Sequence, residues 1–189
     1  MNEIFQKIEA LLSVASKPTI LTIEGGAASG KTSLADLLKS KYGAEVIHMD
    51  DFFLRPEQRT AERLSEVGGN IDYERFKEEV VNHLGTSFSY RPYDCVSEQL
   101  SEPRGLRQSK LIIVEGVYSM HPYFGNYSDL KIFLSCSSTE QKRRLMQRNA
   151  RLYPRFVDEW LPMEASYFEK FKTKSMSDFI LDASKKESL

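Results

Sequence analysis

A parallel β-sheet covered by helices on both faces is the fold class this sequence predicts, and three observations carry the prediction. Short apolar, β-rich runs recur at residues 19–24, 45–49, 111–114, 130–135 and 179–181. Stretches with helical spacing separate the first two runs and follow the fourth, and alternation of this kind indicates α/β architecture. A glycine-rich turn, GGAASGKT, joins the first run to a helix.

Ile4, Phe5, Ile8, Leu11, Leu12 and Ala15 fall on one helical face, so the chain opens with an amphipathic helix that Pro18 ends. This helix is expected to pack on its own sheet or on a second copy, which leaves a homo-oligomer open. Residues 19–24, TILTIE, form the first strand. Residues 31–42 have helical spacing through Leu34, Leu37 and Leu38, with Gly43 as the stop. The strand at 45–49 delivers Asp50 and Asp51 at its end. Residues 52–70 are polar, contain Gly68-Gly69, and read as a mobile connection. Asp72 is placed to cap a helix carrying Phe76, Val80, Val81 and Leu84. Residues 87–100, beyond Gly85, read as irregular or extended. Leu111-Ile112-Ile113-Val114 is the clearest buried strand and ends at Glu115-Gly116. Strand 130–135 precedes a basic helix at about 139–149, a further helix spans 156–171, and Phe179-Ile180-Leu181 forms the last strand. No repeat or linker interrupts the chain. The expectation is one domain over 1–189, with insertions at about 52–100 and 149–161 over one end of the sheet.

Charge and composition remove several function classes. The 26 basic and 27 acidic residues nearly cancel, whereas a nucleic-acid binder needs a basic excess or stripe. No apolar run approaches the ~20 residues that span a bilayer, and MNEIFQKIEA lacks the basic-then-apolar order of a signal peptide. A cytoplasmic location is therefore expected, with no membrane or nucleic-acid partner. Cys95 and Cys136 lie far apart with no metal-ligand spacing, and a disulfide between them is not expected. His48, His83 and His121 show no metal spacing either. His48 reads as a packed strand histidine, and His121, after the Glu115 strand end, as a residue placed to approach a ligand.

The glycine segment satisfies G-x-x-x-x-G-K-[ST] with a strand before it and a helix after it. Gly25, Gly26, Ala27, Ala28, Ser29 and Gly30 let backbone N–H groups converge on phosphate oxygens without side-chain obstruction. The helix that begins at Lys31, Thr32 and Ser33 points its positive end at the same anion. Lys31 is expected to reach the β- and γ-phosphates of ATP, and Thr32 to place its hydroxyl on Mg2+. Ligands of open α/β sheets bind at the carboxyl ends of strands. Asp50, Asp51 and Glu115 are therefore expected near the loop, one to hold magnesium and another to accept a proton from an attacking hydroxyl.

Together GGAASGKTSLADLL, HMDDFFLRP, GGNIDYERF, YRPYDC and IIVEGVY resemble the uridine kinase family of P-loop kinases, which includes phosphoribulokinase and pantothenate kinase relatives. The resemblance covers about residues 20–171 and implies an α/β P-loop NTPase fold with a lid, acting on a small-molecule hydroxyl. It implies Asp50 as catalytic aspartate, Glu115 as a magnesium-linked carboxylate together with Thr32 and Asp50, and Asp72 as the residue holding ribose hydroxyls. Tyr93 and Asp94 match a Y-D motif beside the nucleoside, and Phe53 belongs to a candidate apolar wall with Tyr90, Tyr118 and Trp160. The sequence departs from the pattern where Glu98 and Leu100 stand in place of a histidine and an arginine near the base. Asp50-Asp51-Phe52-Phe53 and the later Phe156, Trp160, Pro162 and Met163 are similar to nicotinamide riboside kinases. Pantothenate is a further acceptor within the group. Arg55, Arg59, Arg63 and Arg91 keep a phosphorylated sugar as an acceptor, and an ATP-hydrolysing switch is the reading of another class, although no N-K-x-D segment is present.

Lys142, Arg143, Arg144, Arg148, Arg151 and Arg155 cluster late in the chain, and the resemblance makes residues 143–156 a lid over ATP. Arg144 and Arg148 share a helix face and are the preferred catalytic cations, with Arg151 and Arg155 as substitutes if the helix ends early.

Overall fold

The predicted alternation is present in the computed structural model, which describes residues 1–184; the last five positions of the expected 1–189 domain lie outside the described residues. The chain begins with α1 (Asn2–Val14), β1 (Thr19–Gly25), α2 (Lys31–Tyr42) and β2 (Glu45–His48). It continues through α3 (Ala61–Ser65) and α4 (Tyr73–Glu79), then the short strands β3 (Phe88–Tyr90), β4 (Tyr93–Asp94), β5 (Gln99–Leu100) and β6 (Arg104–Leu106). The last elements are β7 (Leu111–Glu115), β8 (Leu130–Ser135), α5 (Ser138–Arg148), α6 (Tyr153–Arg155), α7 (Leu161–Phe171) and β9 (Phe179–Asp182).

Five strands form one parallel sheet in the order β2-β7-β1-β8-β9. β1 and β7 are buried along their whole length, as central parallel strands are. Side-chain alternation divides the core. Leu21, Ile23 and Ile113 face Ile4 and Ile8 of α1 and Leu34 and Leu38 of α2. Ile20, Ile112 and Val114 face the other way, toward Phe52, Phe76, Tyr90 and Tyr167. Ile4 and Ile8 are 1% and 0% exposed, and each such burial contributes about 1.5–3 kcal/mol. The first helix therefore packs on its own sheet.

Several local expectations are corrected. Residues 52–70 are not a mobile connection, because tight turns at Met49–Phe52 and Pro56–Gln58 lead into α3. Arg63 holds the segment, donating to the carbonyls of Gly69 and Ile71 and to both oxygens of Glu74. The helix capped by Asp72 stops at Glu79, and Val81 and Leu84 continue as a separate turn and its end, where β-branched Val80 and Val81 disfavour helix. For residues 87–100 the extended alternative holds: β3 pairs with β6 and β4 with β5, both antiparallel. The helix expected over 156–171 is α-helical only from Leu161, and Phe156–Trp160 forms a wider π turn ahead of it. Pro162 lies just past that π turn, at the point where its missing N–H interrupts the helical ladder. Both cysteine thiols are free.

Candidate active site

Parallel register brings the strand ends together. Ile23 of β1 lies beside Glu115 of β7, and Glu115 lies beside His48 of β2. The phosphate loop leaves β1 at this edge. Gly25 adopts φ +143°, and a Cβ there would stand 2.3 Å from the Leu134 carbonyl oxygen, so only glycine fits. Ala28 also takes a positive φ, 56°, completing the bend that turns the loop into α2. Lys31 is buried and donates from Nζ to the Gly26 carbonyl at 2.9 Å. Thr32 and Ser33 are exposed at the start of α2.

Two of the three expected magnesium-linked groups, Thr32 and Glu115, are hydrogen-bonded neighbours: Thr32 Oγ1 donates to Glu115 Oε1 at 3.1 Å. His48 Nδ1 meets the same oxygen at 2.6 Å. Burial pushes the Glu115 pKa up, but the His48 hydrogen bond and the Lys31 charge outweigh it and hold the group below its usual range. His48 is raised in turn, mainly by the Glu115 hydrogen bond, against its own burial. Its expected role as a packed histidine is therefore incomplete, since it orients a site carboxylate. Hydroxyl and carboxylate oxygens are hard donors that suit Mg2+, which is held by one or two protein groups plus substrate phosphates. No cluster of three or more His, Cys, Asp or Glu side chains that could hold a metal ion occurs among the described residues.

Asp50 lies in the turn after β2, with its side chain reaching solvent and protein on its other sides. Burial by that surround raises its pKa, Lys31 opposes, Glu115 adds to the rise, and Arg148 and His48 oppose. Asp51 is spent on structure: Oδ2 accepts from Tyr90 Oη at 2.7 Å and from Arg104 Nη1 at 2.8 Å. The adjacent carboxylates thus separate into one free group and one tether.

Of the expected lid arginines, Arg148 is exposed and close enough to act on the Asp50 charge. Arg144 is not a free cation. It donates to Glu140, to the Ala28 carbonyl at 3.2 Å and to the Ala183 carbonyl at 2.6 Å, fastening α5 to the phosphate loop and the end of β9. Arg155 pairs with Glu159 and lies over the Trp160 ring.

The acceptor side differs more from expectation. Asp72 is 2% exposed and caps α4 through Arg75 N, while Gln58 Nε2 donates to its other oxygen at 2.8 Å. Together with Leu54, Glu62, Arg63, Glu66 and Glu74 it lines a hollow of about 400 Å3. Tyr93 is buried, and its hydroxyl accepts from Arg59. Asp94 is exposed and accepts from Val96 N, so it shapes the β4–β5 turn instead of facing a ligand pocket. Phe53 is half-buried and pairs its backbone with Ile71. His121 is a structural residue: it stacks on Tyr73 and Tyr167, accepts from Tyr123 N, and burial pushes its pKa down to about 4.

Two carboxylates central to the site carry no motif. Glu24, fully buried one residue before the loop, accepts from Gly25 N, Tyr118 N, Met120 N and Tyr167 Oη. Glu164 of α7 accepts from Ala27 N at 2.9 Å. A lone acid inside the β-rich run TILTIE was the available signal for Glu24; nothing local marked Glu164.

No family model matches the chain. It is 25% identical over 182 residues to uridine kinase-like protein 3 of Arabidopsis thaliana, covering 89% of this chain. It spans about two fifths of that relative's length, 38%. It is 26% identical over 187 residues to a uridine kinase of Macrococcus caseolyticus, covering 88% of each. Among solved structures, a possible uridine kinase from Bacillus stearothermophilus superposes with a TM-score of 0.69 at 21% identity, over 94% of this chain and 98% of that one. A putative fructose transport system kinase from Silicibacter sp. TM1040 gives 0.65 at 19% identity, over 92% and 94%. The fold is that of P-loop kinases, and the resemblance to uridine kinases stated from the motifs is borne out.

Proposed function

We propose that the chain is an ATP- and magnesium-dependent kinase that transfers the γ-phosphoryl group to a hydroxyl of a nucleoside, with uridine the first acceptor to test. One observation carries this reading: at a single sheet edge, a phosphate loop with Lys31, a Thr32–Glu115 pair and the uncommitted Asp50 carboxylate converge. The uridine kinase relatives support the acceptor class.

In this reading the loop amides and Lys31 bind the donor phosphates. Thr32 and Glu115 hold magnesium, which when bound neutralises phosphate charge. Asp50 orients the acceptor hydroxyl and takes its proton. Arg148, as part of a lid over about 143–156, stabilises charge on the transferring group and helps exclude water. Asp72 anchors the acceptor's sugar from the insertion at about 52–100. Lys31, Asp50 and Arg148 are the catalytic set, and Arg144 positions the loop.

The phosphorylated-sugar reading loses its support, because its four arginines are engaged. Arg55 meets Glu57 and Gln58; Arg59 meets Leu54 O, Tyr93 and Glu98; Arg63 meets Glu74; Arg91 meets the carbonyls of Leu100 and Ser101. The hollow beside Asp72 carries Glu62, Glu66 and Glu74 against the paired Arg63, which favours an uncharged or cationic acceptor. Nicotinamide riboside is therefore the second reading. The test is ATP consumption with and without a panel of nucleosides, nicotinamide riboside and pantothenate. Acceleration by a nucleoside is expected; turnover indifferent to every acceptor would instead indicate an ATP-hydrolysing switch.

Two variants probe the parts of the site. His48→Ala is expected to raise the magnesium concentration for half-maximal activity by about 10–100-fold, since it frees the Glu115 carboxylate that His48 orients. An unchanged magnesium titration would exclude that role. Arg148→Ala is expected to lower kcat at saturating substrates by at least about tenfold, with thermal stability unchanged because the side chain is exposed. Full turnover in that variant would remove Arg148 from the mechanism.

A further inference from the structure

The peptide group between Gly26 and Ala27 is held at both ends by charge. Its carbonyl accepts from Lys31 Nζ at 2.9 Å, and its N–H donates to Glu164 Oε2 at 2.9 Å. Lys31 is thus parked on its own loop. An internal carboxylate meanwhile occupies a loop amide of the kind that binds phosphate. Gly26 permits this closeness, because a Cβ there would lie 3.2 Å from Glu164 Oε2 and 2.7 Å from Gln141 Nε2.

Glu164 is 7% exposed, and Ala27 N is the hydrogen-bond donor it meets. The groups that act on it include two residues of the candidate phosphate site. Lys31 from α2 and Asp50 from the β2 end both act on its charge, Tyr118 from the β7 end senses it, and Lys174 lines the same hollow of about 270 Å3. Burial and Asp50 raise its pKa to about 7, against the Ala27 hydrogen bond and Lys31, as expected of a carboxylate with too few partners for its burial. Its helix is entered through the π turn at Phe156–Trp160, an irregular entry next to the expected lid.

We propose that Glu164 determines donor specificity: its carboxylate stands in for the terminal phosphate on the Ala27 amide, and a triphosphate must displace it whereas a diphosphate does not. Displacement frees the Gly26–Ala27 peptide and releases Lys31 toward the nucleotide. After transfer the carboxylate returns, which favours departure of the shortened product nucleotide. The inference deepens the kinase reading and rests on it.

Direct binding of Mg·ATP and Mg·ADP to the wild type, Glu164→Gln and Glu164→Ala tests it without knowledge of the acceptor. Removing the competing charge is expected to tighten ATP by roughly tenfold in both variants, within the usual range of coupling between sites. ADP is expected to change by less than about threefold on the same scale. The Gln variant keeps the size and an acceptor oxygen, so it guards against a folding defect in the Ala variant, and thermal melts accompany both. Equal weakening of ATP and ADP would show that Glu164 merely props up the loop and would overturn the proposal. An unchanged ATP/ADP ratio would overturn it too, leaving the kinase reading intact. Failure of all three proteins to bind either nucleotide would overturn the kinase reading and the proposal together.

Discussion

Asp50→Asn is expected to lower acceptor-dependent turnover by about 10²–10⁴-fold, the usual contribution of a general base, while leaving Mg·ATP binding nearly unchanged. The substitution keeps the size of a side chain that reaches solvent but removes its capacity to take a proton. Its neighbour does not replace it, because the Asp51 carboxylate is tied to Tyr90 and Arg104. The pH profile supplies a second readout. Burial raises the Asp50 pKa above its ordinary value of 3.8. The ionised base is therefore lost as pH falls through that raised value, and wild-type turnover should decline on the acid side at a higher pH than an ordinary aspartate would give. Full turnover in Asp50→Asn, measured by coupled ADP release at saturating acceptor, would remove Asp50 from the chemistry.

Glu24→Ala is expected to destabilise the protein by more than about 3 kcal/mol, because each buried donor left unsatisfied costs about 1–3 kcal/mol. The donors are three backbone amides, of Gly25, Tyr118 and Met120, and the Tyr167 hydroxyl. They belong to the phosphate loop, the segment after β7, and α7, so a single carboxylate ties three walls of the site. Tyr118 is also held at φ 76°, a backbone state that a bulky residue adopts only where its surroundings impose it. Urea denaturation of wild type and variant measures the loss, and a change below about 1 kcal/mol would contradict this account of a buried hub.

The same residue couples stability to pH. Burial raises Glu24 from 4.5 to about 7 in the folded chain, against hydrogen bonds from Met120, Gly25 and Tyr167 and the Lys31 charge. The folded state then binds its proton more tightly than the unfolded state does. Stability contributed through this group falls as pH rises between about 4.5 and about 7. Glu164 is raised over the same window, so Glu24→Ala should flatten part of the slope and leave the remainder.

Much of the donor half was legible in the amino-acid order. The phosphate loop is a local device: glycine, small residues, lysine and threonine at set spacing act within one turn of chain, and the flanking strand and helix are set by local periodicity. The strand ends bearing Asp50 and Glu115 were legible for the same reason. The acceptor half was read less well. Asp94 belongs to a turn, and β6 was not anticipated. Short antiparallel pairs such as β3–β6 carry little periodic signal, and a carboxylate at a turn looks the same whether it serves a ligand or its own backbone.

The sequence by itself determined the parallel α/β fold, the phosphate loop, and the candidate roles of Lys31, Thr32, Asp50 and Glu115. Only the tertiary structure decided which arginine of α5 is available, which of two adjacent aspartates is free, that Glu24 and Glu164 bond the phosphate loop, and that His48 bonds Glu115. Those assignments depend on contacts between residues far apart in the chain, such as Ala27 with Glu164, 137 positions away, and His48 with Glu115, 67 positions away. Sheet register and helix packing set such distances, and no local spacing encodes them.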